Sequence, residues 1–286
     1  MSRIFFVLLG LLPTLVFGAD IGYAENKSGD ILGLKIEGEI VKGDADKLLE
    51  LLRLSGPRFG RIFLNSKGGD VEEAMKIGRI FRRLRLPAEV PTYYPGLKPI
   101  CGPKLSDESN CVCASACFLI FGGAVYRGGN LLALHRPFFT RKAASQMSDV
   151  QHEGGQKGAM AMTTIYLEEM EVPSYFTNIM MSRNSQEAYI VTADEASDNN
   201  HSINGYVPSI EEITLSKCKV GTSRDYAAIQ KLARKGDAAS SQEKALRKSM
   251  SDQYVAGIEC QVEVVNAMRA EAFNKEFSGD LNWKKK

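Results

Sequence analysis

Apolar and polar positions alternate over Ile31–Ile40 (ILGLKIEGEI) and break at Gly38, which predicts a first strand. Asp44 then precedes a run with Leu48, Leu49 and Leu52 on one helical face, a helix to about Arg53. Arg61–Asn65 is a short buried strand by the same reading. Asp70 opens a helix to about Leu86, with Val71, Ala74, Met75, Gly78 and Phe81 at helical spacing. Pro87 ends that helix, and Val90–Tyr94 predicts another strand. Residues 95–112 hold three prolines and two cysteines and read as a loop.

Ser115–Gly122 carries no polar side chain after the serine, which predicts a buried helix. Leu131–His135 reads as a strand and polar residues 138–147 as a mobile loop. A long helix follows from about Ser148 to Met170, and a second after Pro173. Ala188–Val191 is a short extended piece before a helix at Ala193–Asp198. Strands alternating with helices predict an α/β fold with mainly parallel pairing. From about Lys217 the chain becomes helical and charged, over 225–235 and 242–274. Leu246, Met250, Tyr254, Ile258 and Val262 recur every four residues there and predict a packing face.

Composition adds little to this picture. Over 286 residues, 44% are hydrophobic and 24% charged, ordinary values for a globular protein. Lys plus Arg exceed Asp plus Glu by only two, with no basic stripe, which argues against nucleic-acid binding.

The first two dozen residues change the picture more. Arg3 precedes the apolar run Ile4–Leu12, then Pro13 and Thr14-Leu15-Val16-Phe17-Gly18. That arrangement describes a secretory leader over residues 1–24, cleaved after Gly18 with Val16 at −3, or after Ala24 with Gly22 at −3. The run is too short for a membrane anchor and Pro13 interrupts it. The expected location is therefore exported, periplasmic or secreted. Six cysteines in an oxidising compartment predict disulfides. Cys101 and Cys111 bracket a loop with little core of its own, so a Cys101–Cys111 bridge would hold it; Cys101–Cys113 is the competitor. Cys218–Cys260 would pin the C-terminal helices together. Cys113 and Cys117, in small apolar surroundings, are expected as buried free thiols. Their spacing is not a usual zinc pattern, and no metal or cofactor is expected.

Three ordered segments carry candidate chemistry. Asn65-Ser66-Lys67-Gly68-Gly69-Asp70 is a strand–turn–helix whose glycines bring backbone N–H groups close to a ligand. Ser115 stands at the start of a buried helix. His135 ends a strand in Leu132-Ala133-Leu134-His135-Arg136-Pro137. A nucleophile, a base and an oxyanion donor are the parts that acyl transfer needs.

Over residues 31–207 these segments resemble the proteolytic subunit of the Clp protease, within the crotonase-like superfamily. The family's Asn-Ser-Pro-Gly-Gly is similar to Asn65-Ser66-Lys67-Gly68-Gly69. Its nucleophile segment is similar to that around Ser115, its His-Gln-Pro to His135-Arg136-Pro137, and its Ser-x-x-Glu-Ala to Thr192-Ala193-Asp194-Glu195-Ala196. The resemblance implies a ClpP/crotonase-like fold of repeated β-β-α units over residues 25–216, followed by a C-terminal helical module at 217–286. It implies Ser115 as nucleophile, His135 as base, and the N–H groups of Gly69 and Ala116 as oxyanion donors. The position matching the family's acid is Ala188, with Glu187 beside it as the candidate acid; a Ser–His dyad is the alternative. A Ser–Lys mechanism through Lys67 ranks below both.

The implied activity is an exported, ATP-independent serine-peptidase-like hydrolase acting on peptide or protein. Homo-oligomerisation is implied, with no ATPase partner, no nucleic acid and no stable membrane anchor. The alternative from another class is a non-catalytic ClpP-like binding or assembly protein that has lost the acid. An acyl-CoA enzyme fits poorly, because export separates it from coenzyme A.

Overall fold

Short strands that lead through turns to a helix or to the next strand set the architecture. A computed structural model describes residues 18–94, 96–102, 111–184, 186–198, 200–218, 223–234, 236 and 240–278. In chain order the strands are β1 (Asp20–Glu25), β2 (Ile31–Glu37), β3 (Ile62–Asn65), β4 (Pro87–Glu89), β5 (Cys113–Ala114), β6 (Tyr126–Gly128), β7 (Leu132–Leu134), β8 (Tyr189–Ile190) and β9 (Gly205–Tyr206). The helices are α1 (Asp44–Ser55), α2 (Val71–Arg83), α3 (Ala116–Gly123), α4 (Arg141–Ala144), α5 (Asp149–Glu169), α6 (Ser174–Ser182), α7 (Ala193–Ala196), α8 (Pro208–Lys217), α9 (Ser223–Arg234) and α10 (Ser241–Glu276).

One sheet runs β1-β2-β3-β4-β6-β9 and a smaller one β5-β7-β8. β2, β3, β4 and β6 pair in parallel, with β1 and β9 antiparallel at the edges. β5 is parallel to β7, and β8 is antiparallel to it. The chain is therefore α/β with a mostly parallel sheet, as the alternation of elements predicts.

The differences have physical reasons. Residues 20–24, inside the longer of the two expected leaders, form most of β1, and Ala24 is buried against the sheet. The strand expected at Val90–Tyr94 lies instead at Pro87–Glu89. A proline tolerates the first strand position, where no ladder donor is needed. Residues 138–147 include the short helix α4. Two-residue strands such as β5 and β9 are too short to produce a period.

The helical layer closes through two glycines. A Cβ on Gly123 would lie 2.2 Å from the Gly78 carbonyl oxygen, so only glycine lets α3 cross α2 at this distance. Tyr166 of α5 is fully buried over the crossing and donates to the Leu119 carbonyl at 2.8 Å. Arg127, also buried, donates to the carbonyls of Gly122 and Met170, main-chain acceptors left open where α3 and α5 end.

α10 begins with a capping box, Ser240 with Glu243. Its buried side is Gly257, Gln261, Val265, Arg269 and Phe273. The stripe expected to pack is not that side: Leu246, Ile258 and Val262 are exposed. Phe273 enters the main core, Val265 packs with Val125, Val207 and Ile210, and Arg269 donates to the Arg85 carbonyl at 3.0 Å. The far half of α10 is thus fastened to the α/β body. Cys218 and Cys260 are joined by a disulfide, as expected.

Glu195 ties α6, β8 and α7 together. Its carboxylate accepts from the Tyr175 hydroxyl at 2.7 Å, the Tyr189 hydroxyl, and the Thr192 amide and hydroxyl at 2.9 and 2.8 Å. Burial pushes the carboxyl pKa up, but these donors outweigh it and hold it at about 2. That lies below an unfolded value of about 4.3, so the stabilisation is complete above roughly pH 5 and is lost as pH falls toward the folded value. Glu195→Gln should lower the melting temperature at pH 7. The two melting curves should converge as pH falls from about 5 to 2; a gap constant over that range would show that the carboxylate charge contributes nothing.

Candidate active site

The site is assembled by the two-residue strand β5, which is bonded on both edges. On one side the Ser66 amide donates to the Val112 carbonyl and the Ala114 amide to the Ser66 carbonyl, both at 2.9 Å. On the other, the Cys113 amide donates to Leu131 and the Ser115 amide to Ala133, at 3.1 and 2.9 Å. The first edge leads directly into Gly68-Gly69; the second leads into His135. The Asn65 side chain fixes the approach to β5 by accepting from the Val112 amide at 3.0 Å and donating to Glu37 at 3.3 Å.

Between β5 and α3 the chain turns sharply at Ser115, whose φ of 55° and ψ of −123° lie outside the usual regions for a side chain. The hydroxyl makes no capping bond to its own helix. Such an elbow lifts a serine off both strand and helix. Cys113 and Cys117, expected as free thiols, are instead joined by a disulfide, with their Cα atoms 5.3 Å apart across Ser115. The error is one of geometry. A linear strand would carry the two cysteines apart, but the elbow returns the first helical turn to the end of the strand. Cys101 pairs with Cys111, so the Cys101–Cys113 alternative does not occur.

Gly68 closes against the elbow. Its φ is 105°, and a Cβ there would lie 2.8 Å from the Ser115 Cβ and 3.1 Å from the Ala116 nitrogen. The Gly68 amide donates to the Ser66 hydroxyl at 3.0 Å, and its carbonyl accepts from Ile40 at 2.9 Å. Among the described residues neither the Gly69 amide nor the Ala116 amide has an acceptor; Ala116 is the first residue of α3, where no helical acceptor exists. The Ala116 N–H thus adjoins Ser115 in the chain, and Gly69 lines the same cleft as Ser115.

His135 is buried beside the Phe138 ring. Its Nδ1 lies 3.0 Å from the Arg136 carbonyl oxygen, which can only accept. In the neutral ring the proton is thus on Nδ1, and Nε2 keeps its lone pair. The Ser115 hydroxyl and the imidazole share a cleft of about 970 Å³ without a hydrogen bond between them. Ile40, Phe138 and Met162 contribute apolar wall to that cleft, and Lys67 and Gln156 polar edge.

The structure does not bring Glu187 to His135. In the register of β7 with β8, Leu134 faces Tyr189, so one step further places Ala188 opposite His135. Glu187 is exposed and accepts from the Asn184 side chain at 3.0 Å. Lys67 is exposed and makes no bond to Ser115. Sequence reasoning did not find the Arg136 carbonyl or the roles of Asn65 and Ser66; main-chain partners leave no mark in side-chain pattern. The Cys-x3-Cys frame around Ser115 was a visible signal for the crosslink. Among the described residues there is no cluster fit to hold a metal ion, and no helix is long and apolar enough to cross a membrane.

Non-reducing peptide mapping of protein recovered from an oxidising compartment should return the pairs 101–111, 113–117 and 218–260. Replacing Cys113 and Cys117 together by Ala should cost about 2 kcal/mol by the chain-entropy argument, read as a shift in denaturant midpoint. Free thiols at both positions in the recovered protein would overturn this crosslink.

The chain was also compared with known families and proteins. No protein-family model matches it, and no curated protein matches it.

Proposed function

We propose that the cleft is the active site of an exported serine-type acyl-transfer hydrolase, peptidase-like in substrate, with Ser115 as nucleophile and His135 as general base. The observation that carries this reading is the elbow at Ser115, opening between two unpaired N–H groups into a cleft shared with an imidazole. A serine with only a structural role gains nothing from so strained a backbone.

The Ser115 Oγ attacks the substrate carbonyl carbon and Nε2 of His135 takes the hydroxyl proton. The Gly69 and Ala116 N–H groups receive the oxyanion. Collapse expels the leaving group, which takes the proton from His135, and water then releases the acyl group by the same steps. The serine and histidine close to hydrogen-bond distance as substrate fills the cleft. Among the described residues no carboxylate bonds His135. The Arg136 carbonyl fixes its tautomer but supplies no full charge for the imidazolium, so the unit works as a dyad. The order of glycine turn, elbow serine and strand-end histidine along alternating strands and helices supports a Clp/crotonase-like fold. Three disulfides suit a periplasmic or secreted protein. No ATPase is needed for this chemistry, and assembly with further copies of the chain belongs to the same reading.

The missing carboxylate favours one other reading, a binding or assembly protein on the same scaffold. Labelling by a fluorophosphonate probe, with the site assigned by mass spectrometry, separates the two. Wild-type protein should label at Ser115, and Ser115→Ala and His135→Ala should each reduce labelling by about 10³-fold or more while leaving the melting temperature near that of wild type. A folded wild-type protein that never labels, and cleaves nothing in a broad peptide library, would leave the binding reading.

Two further variants test the parts. Gly68→Ala should slow labelling at least about tenfold, since the added methyl must displace Ser115 or the turn. Glu187→Gln should leave the labelling rate unchanged within about threefold, because its carboxylate is exposed and bonded to Asn184. A large loss there would return Glu187 to the role of acid.

A further inference from the structure

Away from the cleft, the most demanding polar group is Asp44, the first residue of α1. It is 0% exposed. Its Oδ2 accepts from the Ala19 amide at 3.1 Å and the Val41 amide at 2.8 Å. Its Oδ1 accepts from Lys47 Nζ at 2.7 Å, but that lysine side chain is 54% exposed. A fully buried carboxylate thus has two neutral amides on one oxygen and a half-solvated cation on the other. Burial of this kind is costly unless a cation compensates it.

The residue donating to Oδ2 sits at a junction. Ala19 is buried in the main core, one residue before β1. The residue before it, Gly18, lies against the same group. A Cβ on Gly18 would be 2.7 Å from Asp44 Oδ1, 2.9 Å from Lys47 Nζ and 2.5 Å from Val41 Cγ2. Upstream the sequence has Arg3, the apolar run Ile4–Leu12, and Val16 two residues before Gly18. The small Gly18 at the end of this run is what a leader-processing peptidase accepts at −1.

We propose that the Gly18–Ala19 peptide bond is hydrolysed during export and that the new α-ammonium of Ala19 forms a buried ion pair with Asp44. Water adds across the bond. Gly18 departs with the leader as a carboxylate, and the Ala19 nitrogen, released as an amine, takes a proton. Cleavage precedes folding, because Ala19 is buried in the folded chain. Folding then carries the amine to the position where the structure has an amide 3.1 Å from the carboxylate. The neutral donor becomes a cation, and the loss of Gly18 clears the space beside Oδ1.

The second possible cut, after Ala24, does not fit. It would remove all but the last residue of β1, whose six register partners run along β2, and the Tyr23 hydroxyl bond to Ser55. It would also leave Asp44 without Ala19.

The pair reaches further than the edge strand. Asp44 holds the Val41 amide, and the neighbouring Ile40 bonds through its own main chain to Gly68 and Asp70, on either side of Gly69. Glu73 of α2 accepts from the Gly43 and Ala45 amides, on either side of Asp44, at 2.9 and 2.8 Å. Removing the leader therefore completes a run of bonds from the new terminus to the glycine turn. This stands whether or not the cleft is catalytic.

The test begins with the full chain expressed with export. Mass spectrometry of the recovered protein should give Ala19 as the first residue; an N-terminus at Glu25, or retention of the leader, would overturn the proposal. The mature chain is then compared with a form in which tag removal leaves Gly18 in front of Ala19. The Ala19 form should melt higher by roughly 5–10 °C, and Asp44→Asn should erase that difference. Selective acetylation of the Ala19 amine gives a readout that needs no substitution and should lower the melting temperature by a similar amount. Equal melting of the Ala19 and Gly18 forms, a gap that persists in Asp44→Asn, or no effect of acetylation would overturn the ion pair.

Discussion

A strand of two residues decides where the candidate site of this chain lies. β5 is only Cys113 and Ala114. It matters because its main chain is bonded on both edges, to the residue that enters the glycine turn and to the strand that ends in His135. Segments distant in sequence meet at Ser115 for that reason alone. The elbow then follows, since the chain must leave the strand and start a fully buried helix within one residue. Its strain is held by the Cys113–Cys117 crosslink and by Gly68 pressed against the serine. Strain of this kind persists only where its surroundings over-determine it.

The same geometry explains what was legible in the sequence. α2 and α5 announced themselves through caps and period, because Asp70 and Ser148 are side-chain acceptors at fixed offsets from amide donors. The three chemical segments were visible because glycine pairs, a serine among small residues and a strand-end histidine are rare together. β5, β6 and β9 were not visible, being too short for alternation to register. Their pairing is decided by neighbours elsewhere in the chain. Glu187, expected as the candidate acid from its place beside Ala188, shows a related limit: one step beyond the register of β7 with β8 it is Ala188 that lies opposite His135, and Glu187 bonds Asn184.

The long C-terminal helix gives a second case. Both its exposed stripe and its buried one have a fourfold spacing, offset by one residue. The buried one includes Gln261 and Arg269, which are satisfied by Thr214 and by the Arg85 carbonyl. A hydropathy pattern favours the stripe with more aliphatic residues. The structure buries the one whose polar members find partners, because an unpaired buried amide or guanidinium would cost more than the aliphatic area gained.

Polar satisfaction is the common thread from the core to the cleft. Arg127 closes two helix ends, Glu195 gathers α6, β8 and α7, and Asn65 orders the approach to β5. In each case a polar side chain bonds main-chain groups or hydroxyls of neighbouring elements. Against that background the Gly69 and Ala116 amides have no acceptor among the described residues. Gly69 and Ser115 line the cleft, and Ala116 follows the strained turn against which Gly68 is pressed. Unspent donors held in place by rigid main chain cost little to reorganise when charge develops beside them, which is the physical requirement for stabilising an oxyanion.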